Sequence, residues 1–486
     1  MSNLTEKDIE LRDEIVEYFK TMNSVPRPSY HEEKVGEIIY NWAKENDFEV
    51  IKDKAGNLII DIPATNGSTE EPKILMQGHM DMVSISEDPD FDPINTPIKT
   101  IVDEEKGIMY AEGTSLGADN ALGVAMAMKA AVDDYEHDAL RIIVTVGEEV
   151  GFVGTSQLDP KHLESIRYLL NLDHSEPGES VVSCAGNAVT DFRKPCKLVD
   201  AELPCGYSLN ITNTKGGHSG NEIHENRINA IKEIVRYHQS LLDNGVDFEL
   251  SETLSEHASN AIPSDATIKI NIKKEDEELC NKLLEEWEEH LNSTYKESDQ
   301  FELNHSIGEP SSRVFCKEDR DIIMGFLAEL PAGVAKFVDG GEILESSNNL
   351  ASVVLEDGDV LHITSSSRGI TAEATLEQVD INVEIAKKYG FATEVQNTAV
   401  AWFSERDSKL NNITNKVWKD ISGDELVLVD IHAGIENGAL VAMNPEIQAI
   451  SIGPKINDLH SVKEIAYINS LPDAYRHLRG IIEELS

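Results

Sequence analysis

Four short apolar runs in this chain each lead into an acid or a histidine, and that pattern limits what the chain can fold into. Lys73-Ile-Leu-Met-Gln-Gly runs into His79 and Asp81, and Arg141-Ile-Ile-Val-Thr-Val146 runs into Glu148 and Glu149. Tyr168-Leu-Leu-Asn-Leu ends on Asp173, and Ala449-Ile-Ser-Ile-Gly-Pro is followed by His460. Short β-branched or apolar runs closed by glycine read as buried strands. Acids seldom belong on such strands, because ionised side chains avoid cores. They do belong at the strand ends of an open α/β sheet, which is where ligands bind.

The remaining segments fit that frame. Helical spacing predicts helices over 7–21 (Ile9, Ile15, Val16, Phe19) and 32–45 (Val35, Ile38, Ile39, Trp42). Ser29 with Glu32 predicts a capping box for the second. The segments 48–52 and 57–62 read as paired strands around Lys54-Ala-Gly56, the acidic stretch 84–100 as surface loop, and 461–485 as an amphipathic helix. Asp119, in Leu116-Gly-Ala-Asp-Asn120, heads a helix of small residues and reads either as its N-cap or as a ligand. His432 and Glu436 lie together in a glycine-rich turn.

Between 188 and 398 strand-like and helix-like segments alternate, and a short echo appears between Ala258-Ser-Asn-Ala and Ser346-Ser-Asn-Asn. The expectation is an α/β catalytic domain built from 1–187 and 399–486, with a central mixed sheet flanked by helices. Into it is inserted an α+β lid, 188–398, of two similar lobes of about a hundred residues each.

A chain of 486 residues with 40% hydrophobic content supports more than one core. Its formal charge of −47 makes nucleic acid and anionic membranes poor partners. No apolar run reaches membrane-spanning length and no leader pattern opens the chain, so a cytoplasmic location is expected. Five cysteines without C-x-x-C spacing argue against a disulfide framework or a cysteine zinc site.

Collected, the strand-end groups are His79, Asp119, Glu149, Asp173 and His460, with Asp81 and Glu148 beside two of them. Histidine and carboxylate donors suit zinc ahead of cobalt or manganese. Five ligands exceed one tetrahedral site and suffice for two ions that share a carboxylate. A remaining glutamate would then serve as general base.

The blocks Gly78-His-Met-Asp81, Leu116-Gly-Ala-Asp-Asn120, Thr145-Val-Gly-Glu-Glu149, Asn171-Leu-Asp173 and Leu459-His-Ser461 resemble those of the co-catalytic dizinc peptidases of the aminoacylase/carboxypeptidase type. Among these the chain is most similar to the aminoacyl-histidine (Xaa-His, carnosinase-like) dipeptidases. The similarity includes Pro26-Arg-Pro-Ser-Tyr-His-Glu-Glu33 and Ile431-His-Ala-Gly-Ile-Glu436.

The resemblance implies that Asp119 bridges two ions, with His79 and Asp173 on one and Glu149 and His460 on the other. It also implies a cis peptide after Asp119, an orienting role for Asp81, and Glu148 as general acid and base. It assigns substrate binding to His218, which would stabilise the oxyanion, and to Asn260 and Arg368, which would hold the substrate's C-terminal carboxylate. Glu436 receives no role. Small peptides are the implied substrates, and relatives that dimerise make a homodimer one of two arrangements, His218 being supplied in cis or in trans. An N-acyl-amino-acid amidohydrolase, a broader di- or tripeptidase and a non-catalytic peptide binder are the competing readings.

Overall fold

The structure is a computed structural model that describes residues 4–68, 71–338, 341 and 343–486. The chain forms two compact units. The first comprises 1–184, 402–430 and 435–486; the second comprises 185–401 together with the short segment 431–434. Among the described residues no helix is long and apolar enough to cross a membrane.

The first unit is built on a mixed sheet. Its strands lie in the order Glu49–Lys52, Leu58–Ile62, Leu140–Thr145, Ile74–His79, Tyr168–Asn171, Gln448–Ser451, Glu179–Cys184 and Trp402–Phe403. The middle four are mutually parallel, and antiparallel strands flank them on both sides. In Leu140–Thr145 the residues Ile142, Ile143 and Val144 are all essentially inaccessible to solvent. Successive side chains alternate faces, so this strand is buried on both, as a central parallel strand must be. The expectation of an α/β domain with a mixed, helix-flanked sheet therefore holds.

Parallel strands also end together. His79 is registered against Thr145 and Gln77 against Asn171, so the segments carrying His79, Glu148 and Asp173 leave the sheet along one edge.

Over this edge starts the helix Ala118–Val132, packed on the strands Ile74–His79 and Leu140–Thr145. Its small residues allow the close approach. A Cβ added at Gly78 would fall 2.2 Å from Asn120 Oδ1, and one added at Gly123 would fall 2.2 Å from the carbonyl oxygen of Leu172. Asp119 does not cap this helix: Gly117 holds the N-cap position in the left-handed region (φ 73°), and Asp119 itself has non-helical backbone. The Asp119–Asn120 peptide is cis.

Three local expectations change. The second helix, Glu33–Glu45, has no side-chain cap, because Ser29 and Glu32 are used elsewhere: Ser29 Oγ donates to Asp81 and Glu32 accepts from the Gly147 amide. The C-terminal helix begins only at Leu471, with Pro472 in its first turn. The residues before it form Ile465–Ala466, a short strand lying between Ile108–Ala111 and Ile456–Asn457 and paired with both. That pairing fixes the segment bearing His460 beside the segment leading to Asp119. Finally, His432 and Glu436 part company: His432 belongs to the second unit, and Glu436 is buried in the first.

The second unit contains two lobes of one topology, strand–helix–strand–strand–helix–strand. One lobe orders its strands Glu249–Leu254, Ala266–Ile272, Cys205–Thr212, Glu302–Gly308. The other orders Leu344–Glu356, Val360–Gly369, Gly186–Pro195, Ala392–Ala399, with Gly333–Phe337 added at its edge. Every neighbouring pair is antiparallel, which is the split βαβ arrangement.

The lobes are nested, the first inserted between the first strand and first helix of the second, through a two-stranded stem in which Leu198 pairs with Phe315. The sequence echo does not mark equivalent places. Ala258 precedes the third strand of one lobe, whereas Ser346 lies within the second strand of the other. The two segments instead meet: Asn349 Nδ2 donates to the carbonyls of Ser259 (3.3 Å) and Ala261 (2.7 Å).

The packing of Ala118–Val132 on the Asp173 segment carries a direct prediction. Gly123→Ala forces a methyl group into a backbone carbonyl and should destabilise the protein by ~1–3 kcal/mol. A lowered midpoint in thermal unfolding checks this; an unchanged midpoint would mean that the helix can retreat without cost.

Candidate metal centre

The sheet edge gathers all seven strand-end residues of the first unit. His79 Nε2 lies 3.1 Å from Asp119 Oδ1 and 3.5 Å from Asp173 Oδ1. His460 Nε2 lies 3.2 Å from Asp119 Oδ2 and 3.0 Å from Glu149 Oε1. The two oxygens of Asp119 therefore face different histidines. Three overlapping groups have donor atoms within 4.8 Å of one another: His79 with Asp119 and Asp173, Asp119 with Glu149 and His460, and His79 with Glu148 and Glu149.

Electrostatics shows what this cluster lacks. Burial pushes the carboxyls of Glu148, Glu149 and Asp173 up, Asp173 to about 8, and neighbouring carboxylates push them further. His79 and His460 are pushed down by burial. The carboxylates around them outweigh it and raise both, His460 to about 11. A field that makes buried imidazoles hold an extra proton is one that favours cations. Glu149 Oε1 is buried and has His460 as its ion-pair partner. Nitrogen and carboxylate donors around one shared carboxylate together fit divalent metal ions.

Surrounding groups hold the donors in place. His79 Nδ1 faces Asp81 twice, at its carbonyl oxygen (3.2 Å) and at Oδ1 (3.3 Å). The Asp81 carboxylate also accepts from Ser29 Oγ (2.7 Å) and from the amides of Glu148 (3.1 Å) and Glu149 (3.3 Å). Burial works against the Asp81 charge, but these donors and His79 win and hold its carboxyl below the usual range. Asp81 thus grips the His79 strand end and the Glu148-Glu149 turn at once.

The chain as a whole resembles known proteins. Residues 75–484 match Peptidase family M20/M25/M40. The chain is also 30% identical over 475 residues to the cytosol non-specific dipeptidase of Escherichia coli, 96% of each chain being covered. The chain belongs to this peptidase family. It is a metallopeptidase hydrolase. The aminoacylhistidine dipeptidase of Vibrio alginolyticus superposes on it with a TM-score of 0.79 at 27% identity, over 99% of this chain and 97% of that one. The aminopeptidase PepT of Bacillus cereus shares the fold, with a TM-score of 0.60 at 17% identity over 98% of each chain.

Several residues around this cluster receive no role from the sequence. Asn120 links two strand ends, accepting from the His79 amide (3.3 Å) and donating to the Leu172 carbonyl (2.7 Å). Glu464 is buried and accepts from the backbone amides of Leu116 (2.8 Å), Gly117 (2.9 Å) and Ala118 (2.8 Å), shaping the loop that presents Asp119. Arg27 is buried and donates to the carbonyls of Met80 (3.2 Å), Asp81 (3.0 Å) and Gly117. An arginine fixed between Pro26 and Pro28 was a visible hint of such a task. Glu436 accepts from Gln77, Thr145 and Thr155, tying strand ends together from beneath.

The remaining candidates belong to the second unit. His218 Nδ1 accepts from the amides of Gly220 and Asn221, both at 3.2 Å, which leaves the ring proton on Nε2. Asn260 is exposed, and its carbonyl accepts from the Ser219 amide at 2.7 Å, so the loops of His218 and Asn260 are joined. Arg368 lies on the strand Val360–Gly369 and is 4% exposed.

Glu464 generates the prediction here. In Glu464→Gln one carboxylate oxygen becomes an NH₂ group that meets backbone N–H donors, so the Asp119 loop should loosen. Metal affinity should fall about 10–100-fold, measured by chelator competition. Wild-type affinity in a folded variant would show that the loop holds Asp119 without this carboxylate.

Proposed function

We propose that this peptidase hydrolyses dipeptides, with Xaa-His among its preferred substrates, using two divalent metal ions. Asp119 would be shared between them, His79 and Asp173 holding one and Glu149 and His460 the other. The observation that carries the reading is that shared carboxylate, whose two oxygens belong to two separate donor groups. Zinc suits the mixed nitrogen and oxygen set best, with cobalt or manganese as alternatives. When bound, a pair of such ions supplies Lewis acidity toward the scissile carbonyl and toward water.

The chain's own residues do the rest. Glu148 takes a proton from the attacking water and later delivers it to the leaving amine. Its raised pKa, caused by burial first and by neighbouring carboxylates second, matches a group that must both accept and return a proton. Asp81 holds His79 in one orientation. His218, with its proton on Nε2, is a donor for the oxyanion, and Asn260 and Arg368 would take the substrate's carboxylate. Dipeptide specificity is supported by the names borne by the Escherichia coli and Vibrio relatives. The former also supports a cytoplasmic location. A binding protein would have no use for Glu148, which favours catalysis over mere recognition.

Glu148→Gln should lower turnover of alanyl-histidine by about 10²–10⁴-fold while metal content by elemental analysis stays at the wild-type value. Retained turnover would remove Glu148 from the reaction. Wild-type protein stripped with chelator should lose activity and regain it with zinc, cobalt or manganese. It should cleave alanyl-histidine faster than N-acetyl-histidine; the reverse order would make the enzyme a deacylase.

A further inference from the structure

Each of the parallel strands in the first unit carries a polar residue near the end that bears the cluster. Thr145, Gln77, Asn171 and Ser451 are all buried, in the part of a sheet where apolar side chains are expected. They form one connected row. Gln77 Nε2 lies 3.3 Å from Thr145 Oγ1, Asn171 Nδ2 lies 2.6 Å from Gln77 Oε1, and the Ser451 hydroxyl donates to Asn171 Oδ1. On one side the row meets the amide of Asp173, 3.2 Å from Asn171 Oδ1. On the other it meets Glu436, which is 0% exposed and is contacted by Gln77 Nε2, Thr145 Oγ1 (2.8 Å) and Thr155 Oγ1.

The polarity of the row is fixed by its one backbone member. An amide N–H can only donate, so Asn171 presents its oxygen to Asp173 and its NH₂ group to Gln77. Gln77 then presents its oxygen to Asn171 and its NH₂ group to Glu436. Each link passes a donor toward Glu436, whose carboxylate is the terminal acceptor.

An acid in the first turn of a helix is commonplace, and Glu436 opens the helix Glu436–Met443. Its complete burial is not, because an ionisable group leaves water at a cost that a helix start does not offset. What the row touches suggests its use. Gln77 and Asn171 each stand two residues before a strand-end ligand, His79 and Asp173. Residues at that spacing on a strand share a face. His79 and Asp173 are the pair assigned to one ion alone. Glu149 and His460, assigned to the other, contact Asp81, Asp119 and each other instead.

We propose that Glu436 is a positioning residue for one of the two ions: through Gln77 and Asn171 it holds the His79 and Asp173 segments at the spacing that ion requires. The inference rests on the two-ion reading and adds that the two sites are unequally supported. The competing role is structural, with Glu436 only fastening its own helix to the sheet.

Zinc affinity, measured by chelator competition, separates these roles without an assay of turnover. His460→Ala removes a ligand of the second ion and isolates the His79–Asp173 site, whereas Asp173→Ala isolates the other. Glu436→Ala should weaken zinc binding about tenfold in the first background and by less than about twofold in the second. Gln77→Met cuts the same row while leaving Glu436 both threonines. It should cause the same selective loss, and the two changes together should cost no more than either alone.

Equal losses in both backgrounds, no loss in the first, or additive losses from Glu436→Ala and Gln77→Met overturn the proposal. If Glu436→Ala does not fold, the selectivity of Gln77→Met decides. Wild-type protein that binds fewer than two zinc ions refutes the two-ion reading, and the loss in the His460→Ala background still decides the role of Glu436.

Discussion

The first unit is organised around a repulsion. Asp81, Asp119, Glu148, Glu149 and Asp173 converge at one end of a buried parallel sheet, where carboxylates cannot all stay ionised beside one another. Without added cations the cluster answers by raising Glu148, Glu149 and Asp173 and by loading protons onto His79 and His460. Divalent ions answer the same demand more completely, because one ion offsets two charges and accepts several oxygens. On the proposed reading, folding creates the deficit and the metal ions satisfy it. The supporting contacts make sense in that light. Glu464, Arg27, Asn120 and Asp81 hold backbone segments in place against the repulsion of the groups those segments carry.

Much of this was legible in the sequence because central parallel strands have a plain signature. Ile142, Ile143 and Val144 announce a strand buried on both faces, and an acid immediately after such a run has little structural excuse. The order of the blocks around His79, Asp119, Glu148, Asp173 and His460 added a family resemblance, and membership of the peptidase family agrees with it.

Less legible were groups whose role depends on a distant segment. Nothing local in Lys463-Glu464-Ile465 shows that the carboxylate caps three amides almost 350 positions away. Ser29 and Glu32 carry a capping pattern, yet Asp81 and the Gly147 amide compete for them more effectively than the helix end does. The helix expected from 461 is displaced to 471 because Ile465–Ala466 finds strand partners. In the second unit the two-lobe expectation agrees with the topology, but the echo that suggested it is a contact between the lobes and not a repeat within them.

The central claim is that Asp119 is shared by two ions. Anomalous diffraction from zinc-loaded crystals, collected on both sides of the zinc absorption edge, tests it most directly. The account predicts two peaks per chain, one flanked by His79 and Asp173, the other by Glu149 and His460, with Asp119 touching both. A single peak, or a pair of peaks away from Asp119, would contradict it.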